Sequence, residues 1–533
     1  MTEFAPNERR WRRSIKEQPL QILMISSESV PFAKSGGLAD AVSALAATLR
    51  RQGHDVRVLL PRYGHINTSI LQKRTETIPV PFGEHGEHWV GMYQALLDTG
   101  VPERPLPVYF VDHAGLFGRT GIYTDPNNGD YPDNCARFAL LARSAFQLCR
   151  LLDWIPDIMH AHDWPAATNA VYLRHLENTG AFANTASVLT IHNLGYQGVF
   201  PRHDYMQLGL APELYEEAEF EFFGQVNFLK AGIYNADMLV TVSKRYAEEI
   251  QQPEFGFELD GLLRQRSDRL LGILNGIDER LWDPEADPYL SHPFSVNNLA
   301  GKQVAKHEIW DWAGFPETEL AANPPLIGLV TRLVHQKGMA ELFHPEHRTL
   351  ERIVNELGAY CVLIGNGEPY FEQAARELSE RNPRFFAKVG FEDRWAHRIE
   401  AGSDFFLMAS RYEPCGLNQM YSLRYGSIPI VTRTGGLADS VQDANEQNGT
   451  GFYIERPEPT EILSAVERAL RCYRDEPERL KAIRDRGMRL RFHWEDSAED
   501  YVRAYRSALD RKRADQKVET DKLALDTEEQ EAG

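Results

Sequence analysis

One phrase occurs twice in this chain. Lys34-Ser35-Gly36-Gly37-Leu38-Ala39-Asp40 is matched in residue type at every position by Arg433-Thr434-Gly435-Gly436-Leu437-Ala438-Asp439. Each copy follows an apolar, strand-like run and opens a helical pattern, so each marks the turn of a strand–turn–helix unit. Ahead of the first copy, Gln21 to Ile25 reads as a buried strand. Behind it, Leu38, Val42, Leu45 and Leu49 share one helical face and the pattern stops near Gly53. His54 to Pro61 then reads as a parallel strand that completes a βαβ unit. A phrase repeated together with its structural context predicts two doubly wound domains in sequence.

More strand-like runs follow in each half. The first has Val108 to Val111, Ile158 to His160, Ser187 to His192 and Met238 to Val242. The second has Pro325 to Val330, Tyr360 to Ile364, Asp404 to Met408 and Ile428 to Val431. Between them, about Pro284 to Pro325, lies a connection containing a helix at Lys302 to Trp312. Beyond about Leu509 the chain is charged and poor in aromatics, and a disordered tail is expected there. A length of 533 residues exceeds what one hydrophobic core usually serves, which also favours two domains.

Charge and cysteine content narrow the function. Lys and Arg number 58 against 77 Asp and Glu, a formal charge of −19. That balance excludes a protein built to coat nucleic acid or anionic lipid, so any phosphate must be met by a few placed cations. The five cysteines, at 135, 149, 361, 415 and 472, contain no C-x-x-C pair and suggest neither a disulfide framework nor a zinc site. The apolar run Leu20 to Ile25 is too short for a signal-peptide core, and no run reaches membrane-spanning length. A cytoplasmic protein is expected, or an organellar one if the numbering starts after removal of a transit peptide.

The candidate chemistry sits at strand ends. A Gly-Gly turn between strand and helix lets backbone N–H groups approach an anion such as a diphosphate, and otherwise serves tight packing. Neither copy is the G-x-G-x-x-G of a dinucleotide site. Lys34 precedes the first pair. Arg332 and Lys337 follow the strand ending at Val330, at the carboxyl edge where such folds bind ligands. Glu413 follows the strand Asp404 to Met408, where a carboxylate can accept sugar hydroxyls or balance positive charge developing on a ring. Cys415 beside it lacks the surroundings of a thiol enzyme and reads as buried packing. His160, His162, Asp163, His192 and Asn193 end first-half strands; their spacing is not that of a metal site, and sugar hydroxyls use the same side chains.

Taken together, the glycine phrases with His162-Asp163-Trp164, His192-Asn193-Leu194, Tyr196-Gln197-Gly198, Pro253-Glu254-Phe255-Gly256, Asn275-Gly276-Ile277-Asp278, Gln336-Lys337-Gly338 and Glu413-Pro414-Cys415-Gly416-Leu417 resemble bacterial glycogen synthases and plant starch synthases. The match runs in order from about residue 20 to residue 500. The resemblance implies a retaining glycosyltransferase of the α/β GT-B class, two Rossmann-like domains facing a central cleft. Its expected divisions are 20–285 for the acceptor-side domain, 286–490 for the donor-side domain, 491–510 for a helix crossing back, and 511–533 for the tail. It implies ADP-glucose as donor, an α-1,4-glucan as acceptor, and no metal or cofactor, cations taking the metal's part.

By the family pattern Glu413, His192, Lys337 and Arg332 are catalytic. Lys34, Arg332 and Lys337 contact the diphosphate, Gly435 and Gly436 cradle it, Glu413 faces the transferred glucose, and Phe391 stacks on the base. Gly36, Gly37, Asp40, Asp163, Asn193, Asn275, Cys415, Gly416, Leu417 and Thr434 complete the expected binding set. Two places depart from the pattern: Pro165 follows His162-Asp163-Trp164, and Glu341 to Arg348 is unusually polar for the helix expected there. Rival readings are a UDP-glucose-using synthase, a related transferase with a lipid or small-sugar acceptor, a phosphorylase and a non-enzymatic glucan scaffold. The related transferases usually carry a second glutamate eight residues after the first, where this chain has Tyr421. A phosphorylase needs a lysine-bound cofactor and a much longer chain, and the intact charged residues speak against a scaffold.

Overall fold

The computed structural model describes residues 18–83, 86–125 and 129–532; the N-terminal arginines and Gly533 lie outside them. Seven parallel strands make the body of the first sheet, in the order Leu270–Gly272, Met238–Thr241, Ala186–Ile191, Ile158–His162, Gln21–Ile25, Asp55–Pro61 and Leu106–Asp112. Two antiparallel strands, Gly86–Leu97 and Gln72–Phe82, extend its far edge. The sequence reading did not identify this pair; Pro79 and Pro81 lie in its outer strand, and an edge strand is where proline can be accommodated. The second sheet is parallel throughout: Phe385–Val389, Tyr360–Gly365, Leu326–Val330, Phe405–Met408, Ile428–Thr432 and Phe452–Ile454. Strands buried on both faces need near-continuous apolar runs, which is why the four central strands were legible, whereas Phe385–Val389 and Phe452–Ile454 at the two edges were not read.

The first repeated phrase opens the helix Gly37–Gln52, closed by Gly53 in the left-handed region at φ 107°. The second opens the short helix Gly435–Ser440. The polar stretch after Gly338 interrupts the expected helix. Met339–Leu342 forms one turn, and helix resumes only at Thr349–Asn355.

The chain passes between the sheets twice, and the two passages run side by side. Ile277 N–H donates to Phe492 O at 2.9 Å, and a Cβ on Gly276 would stand 2.6 Å from Trp494 N. Trp282, just past the first passage, lies between His397 and Tyr421 with centroids 3.7 and 3.8 Å away. The buried Lys302 donates to Ala401 O, Ser403 O, Tyr425 O and Ser427 Oγ, fastening the helix Ala300–Trp312 to the second sheet's helices.

After the second passage the helix Trp494–Ala532 packs on the first domain, where Tyr501, Ala504, Tyr505 and Ala508 join the main core. Where a disordered tail is expected, the helix runs on past residue 510, and its next turns touch the first domain. Arg511 pairs with Asp268 at 2.6 Å, Asp515 with Arg269 at 3.1 Å, and Gln516 Nε2 donates to Ala183 O. Charges that look like a solvated tail in sequence meet complementary charges of the first domain. No helix among the described residues is long and apolar enough to cross a membrane.

Burial and ion pairing make different predictions for this helix. Tyr501→Ala removes a ring that is 1% exposed and should cost about 3–5 kcal/mol. Deleting 511–533 removes partly exposed ion pairs worth about 0–1 kcal/mol each, so its urea midpoint should stay much closer to that of the intact chain.

Candidate active site

The second sheet's carboxyl edge builds the charged part of the cleft. Gly338 has φ 75°, and a Cβ there would fall 2.0 Å from Ala409 O, so glycine is required. That close approach carries Lys337 onto Glu413, and the two form an ion pair. Ser410 Oγ donates to the same carboxylate oxygen at 3.0 Å. Glu413 is 5% exposed, so the pair is largely desolvated, and removing either partner alone would leave an uncompensated charge. Arg332 is exposed and bonds Gln336 Oε1 at 3.4 Å.

The two glycine pairs do different work. Cβ atoms on Gly435 and Gly436 would each come 2.0 Å from a carbonyl oxygen, of Glu413 and Cys415 respectively. Gly436 N–H donates to Glu413 O at 3.0 Å, and Gly435 N–H donates to the Glu249 carboxylate at 3.1 Å. The amides expected to cradle a diphosphate bond groups within the protein here, and the pair packs one backbone closely against another. In the first domain no described atom lies within 4 Å of a Cβ built on Gly36, and Gly37 approaches Leu417 Cδ1 at 3.7 Å. Here the glycines leave space in the cleft. Lys34 is half exposed and pairs at 2.9 Å with Asp40, which thus holds the lysine.

The first domain contributes neutral polar groups. His162 Nδ1 and His192 Nε2 are 3.0 Å apart, while His160 bonds Thr190 Oγ1 and Tyr505 OH. Burial pushes His160 and His192 down to about 3 and His162 also well below its usual value, so all three rings are uncharged near neutral pH. Asp163 Oδ1 accepts His192 N–H at 2.6 Å and Asn193 N–H at 3.4 Å. Burial raises its carboxyl to about 7 despite those two donors.

Tyr412 joins the two sides. A Cβ on Gly195 would stand 2.7 Å from its hydroxyl, the hydroxyl also meets Asn193, and its ring packs edge-on to Phe257 at 5.4 Å. The residue before Glu413 thus touches the segment just after His192. Asn275 is buried, and its Oδ1 has no partner among the described residues. Its backbone N–H meets Cys415, whose thiol burial pushes up to about 12, so it stays protonated and packs beside Ile277, Met420 and Tyr421. Gly416 turns the chain at φ 69° into the helix Asn418–Arg424. Phe391 is 60% exposed beside Gly390, at the end of strand Phe385–Val389.

Sequence reasoning missed Glu28, Tyr123, Ser410, Tyr412 and Glu249. Glu28 accepts Ser35 N–H at 2.5 Å and Ser35 Oγ–H and Tyr123 O–H at 2.6 Å. Its position in the Ser-Ser-Glu-Ser loop after the first strand was a readable signal. Glu249 ends an ordinary-looking polar helix and gave none.

Residues 21–265 match the family model for the starch synthase catalytic domain, and residues 312–486 match that for glycosyl transferases group 1. Glycogen synthase of Treponema denticola is 44% identical over 92% of this chain and 99% of its own length. Glycogen synthase 1 of Geobacter sulfurreducens is 42% identical over 92% and 96%. Among solved structures, the catalytic domain of starch synthase IV from Arabidopsis thaliana, bound to ADP and acarbose, superposes with a TM-score of 0.83 at 30% identity, covering 92% of this chain and 100% of that one.

A carboxyl raised to about 7 in the folded protein binds a proton that the unfolded chain has already lost. Its contribution therefore favours folding below the unfolded value and is withdrawn as pH rises from about 4 to 7. Asp163→Asn should lose this dependence, worth at most about 4 kcal/mol. Denaturant titrations of both proteins at pH 5 and pH 8 check it, and equal pH dependence would contradict the assignment.

Proposed function

Because the chain belongs to the glycogen and starch synthase family, we propose that it transfers glucose from ADP-glucose to the non-reducing end of an α-1,4-glucan with retention of configuration. The observation that supports this most directly is the meeting of the Glu413 loop with the His192 segment through Tyr412. It joins the loop that carries a desolvated carboxylate to the segment that carries neutral hydrogen-bonding groups, an arrangement suited to a sugar.

In this reading the bond from the sugar's C1 to the diphosphate breaks as the acceptor's 4-hydroxyl oxygen bonds C1, and the hydroxyl proton leaves with the diphosphate. Glu413 faces the ring, where its charge counts most as positive character develops. Lys337 is positioned to share its charge between Glu413 and the departing diphosphate. Arg332 is exposed at the same edge, and Lys34 can turn from Asp40 toward the open space before Gly36. His192, uncharged, offers a donor or acceptor to sugar hydroxyls without competing for the anion. Asp163 fixes the His192 backbone, and Phe391 presents a ring face to the nucleobase. Five free cysteines, all buried, support a reducing compartment such as the cytoplasm or a plastid.

Transfer of labelled glucose to glycogen, compared for ADP-glucose and UDP-glucose in the presence of EDTA, tests the donor and the metal-free mechanism together. Faster transfer from ADP-glucose that survives chelation is expected; loss restored by a divalent ion would reject the cation account. Glu413→Gln should lower kcat about 100-fold or more while changing ADP affinity little. A rise in donor KM alone would remove Glu413 from the chemical step.

A further inference from the structure

Ser35-Gly36 and Thr434-Gly435 hold matching places in the repeated phrase, and one buried carboxylate grips each. Glu28 accepts Ser35 N–H, Ser35 Oγ–H and, at 3.3 Å, Gly36 N–H. Glu249 accepts Thr434 Oγ1–H at 3.1 Å, and both its oxygens stand 3.1 Å from Gly435 N. The resemblance ends at the origin of the carboxylate. Glu28 follows the first strand of its own domain, whereas Glu249 belongs to the helix Lys244–Glu249 of the first domain and reaches the second.

Two neighbours make the same crossing. Ser243 Oγ donates to Pro414 O at 2.6 Å, and Arg245 N–H donates to Asp439 Oδ2 at 3.0 Å. One short first-domain segment therefore bonds both backbones that shape the catalytic loop, the one carrying Glu413 and the one carrying Gly435. Glu249 is 6% exposed. Simple domain packing would be met more cheaply by an apolar side chain, since a buried carboxylate must be repaid in hydrogen bonds. Arg245 Nε of the same helix pairs with one oxygen at 3.3 Å, and the other bonds go to the turn whose next amide holds Glu413 O.

We propose that Glu249 is a positioning residue for glucose transfer: from the first domain it fixes the Thr434–Gly435 turn, so the Glu413 loop takes its working shape only when the two domains are in contact. The inference rests on reading the cleft as the donor site. It follows that opening the cleft releases the turn, and that donor binding and domain contact favour each other through this carboxylate.

Three variants test it: Glu249→Ala, Glu249→Gln and Thr434→Val, with the Glu249→Ala/Thr434→Val double variant. Lys244→Gln, exposed on the same helix, serves as control. Glu249→Ala should lower kcat about 10- to 100-fold with the glucan KM unchanged. Glu249→Gln keeps an acceptor oxygen and should recover most of the rate. If Glu249 acts through the turn, the double variant should be barely worse than Glu249→Ala. Multiplicative losses in the double variant, or a lowered Tm with unchanged kcat in Glu249→Ala, would overturn the proposal. A wild-type protein that transfers glucose from neither nucleotide sugar would instead overturn the underlying reading.

Discussion

The backbone of Gly435 and Gly436 lies so close to the carbonyls of Glu413 and Cys415 that no side chain fits between them. Gly338 makes the same kind of contact with Ala409 O. These segments leave three neighbouring parallel strands, Leu326–Val330, Phe405–Met408 and Ile428–Thr432, and the contacts fuse their ends into one unit. Glu413 owes its position to this unit. A side chain such as Glu413 is usually oriented by side-chain neighbours, but here its main chain is clamped first, and Lys337 and Ser410 then fix the carboxylate.

The two domains divide the electrostatic work. The second places charged groups, Arg332, Lys337 and Glu413, at its strand ends. The first supplies imidazoles that burial keeps neutral, together with a carboxyl, Asp163, held by backbone N–H groups. Under the proposed reading, the neutral groups suit the many weak hydrogen bonds of a sugar and the charged edge suits a diphosphate, with Lys337 already paired to Glu413. Side-by-side chain passages at Ile277 and Phe492 leave the domains joined at one place, with the remaining contacts formed by side chains such as Tyr412, Leu417 and Glu249.

Much of this was legible in the sequence. The buried strands were legible because parallel sheets covered on both faces demand apolar runs, and the repeated glycine phrase showed where both domains turn. Lys337 and Glu413 could be assigned to the carboxyl edge because strand direction follows from chain order. What pairwise contact they make could not: spacing along a chain does not say that residues 337 and 413 meet.

The sequence by itself determined the fold class, the two-domain plan and which residue types stand at each strand end, because local periodicity and chain direction set these. Only the tertiary structure decided what those residues touch. It set the first turns of the expected tail against the first domain through pairs such as Arg511 with Asp268, and it gave two similar glycine pairs different surroundings, one open space and the other close-packed backbone. It also brought Glu249 across to the second domain. Such outcomes depend on distances between segments far apart in the chain, and these are fixed only when whole domains pack.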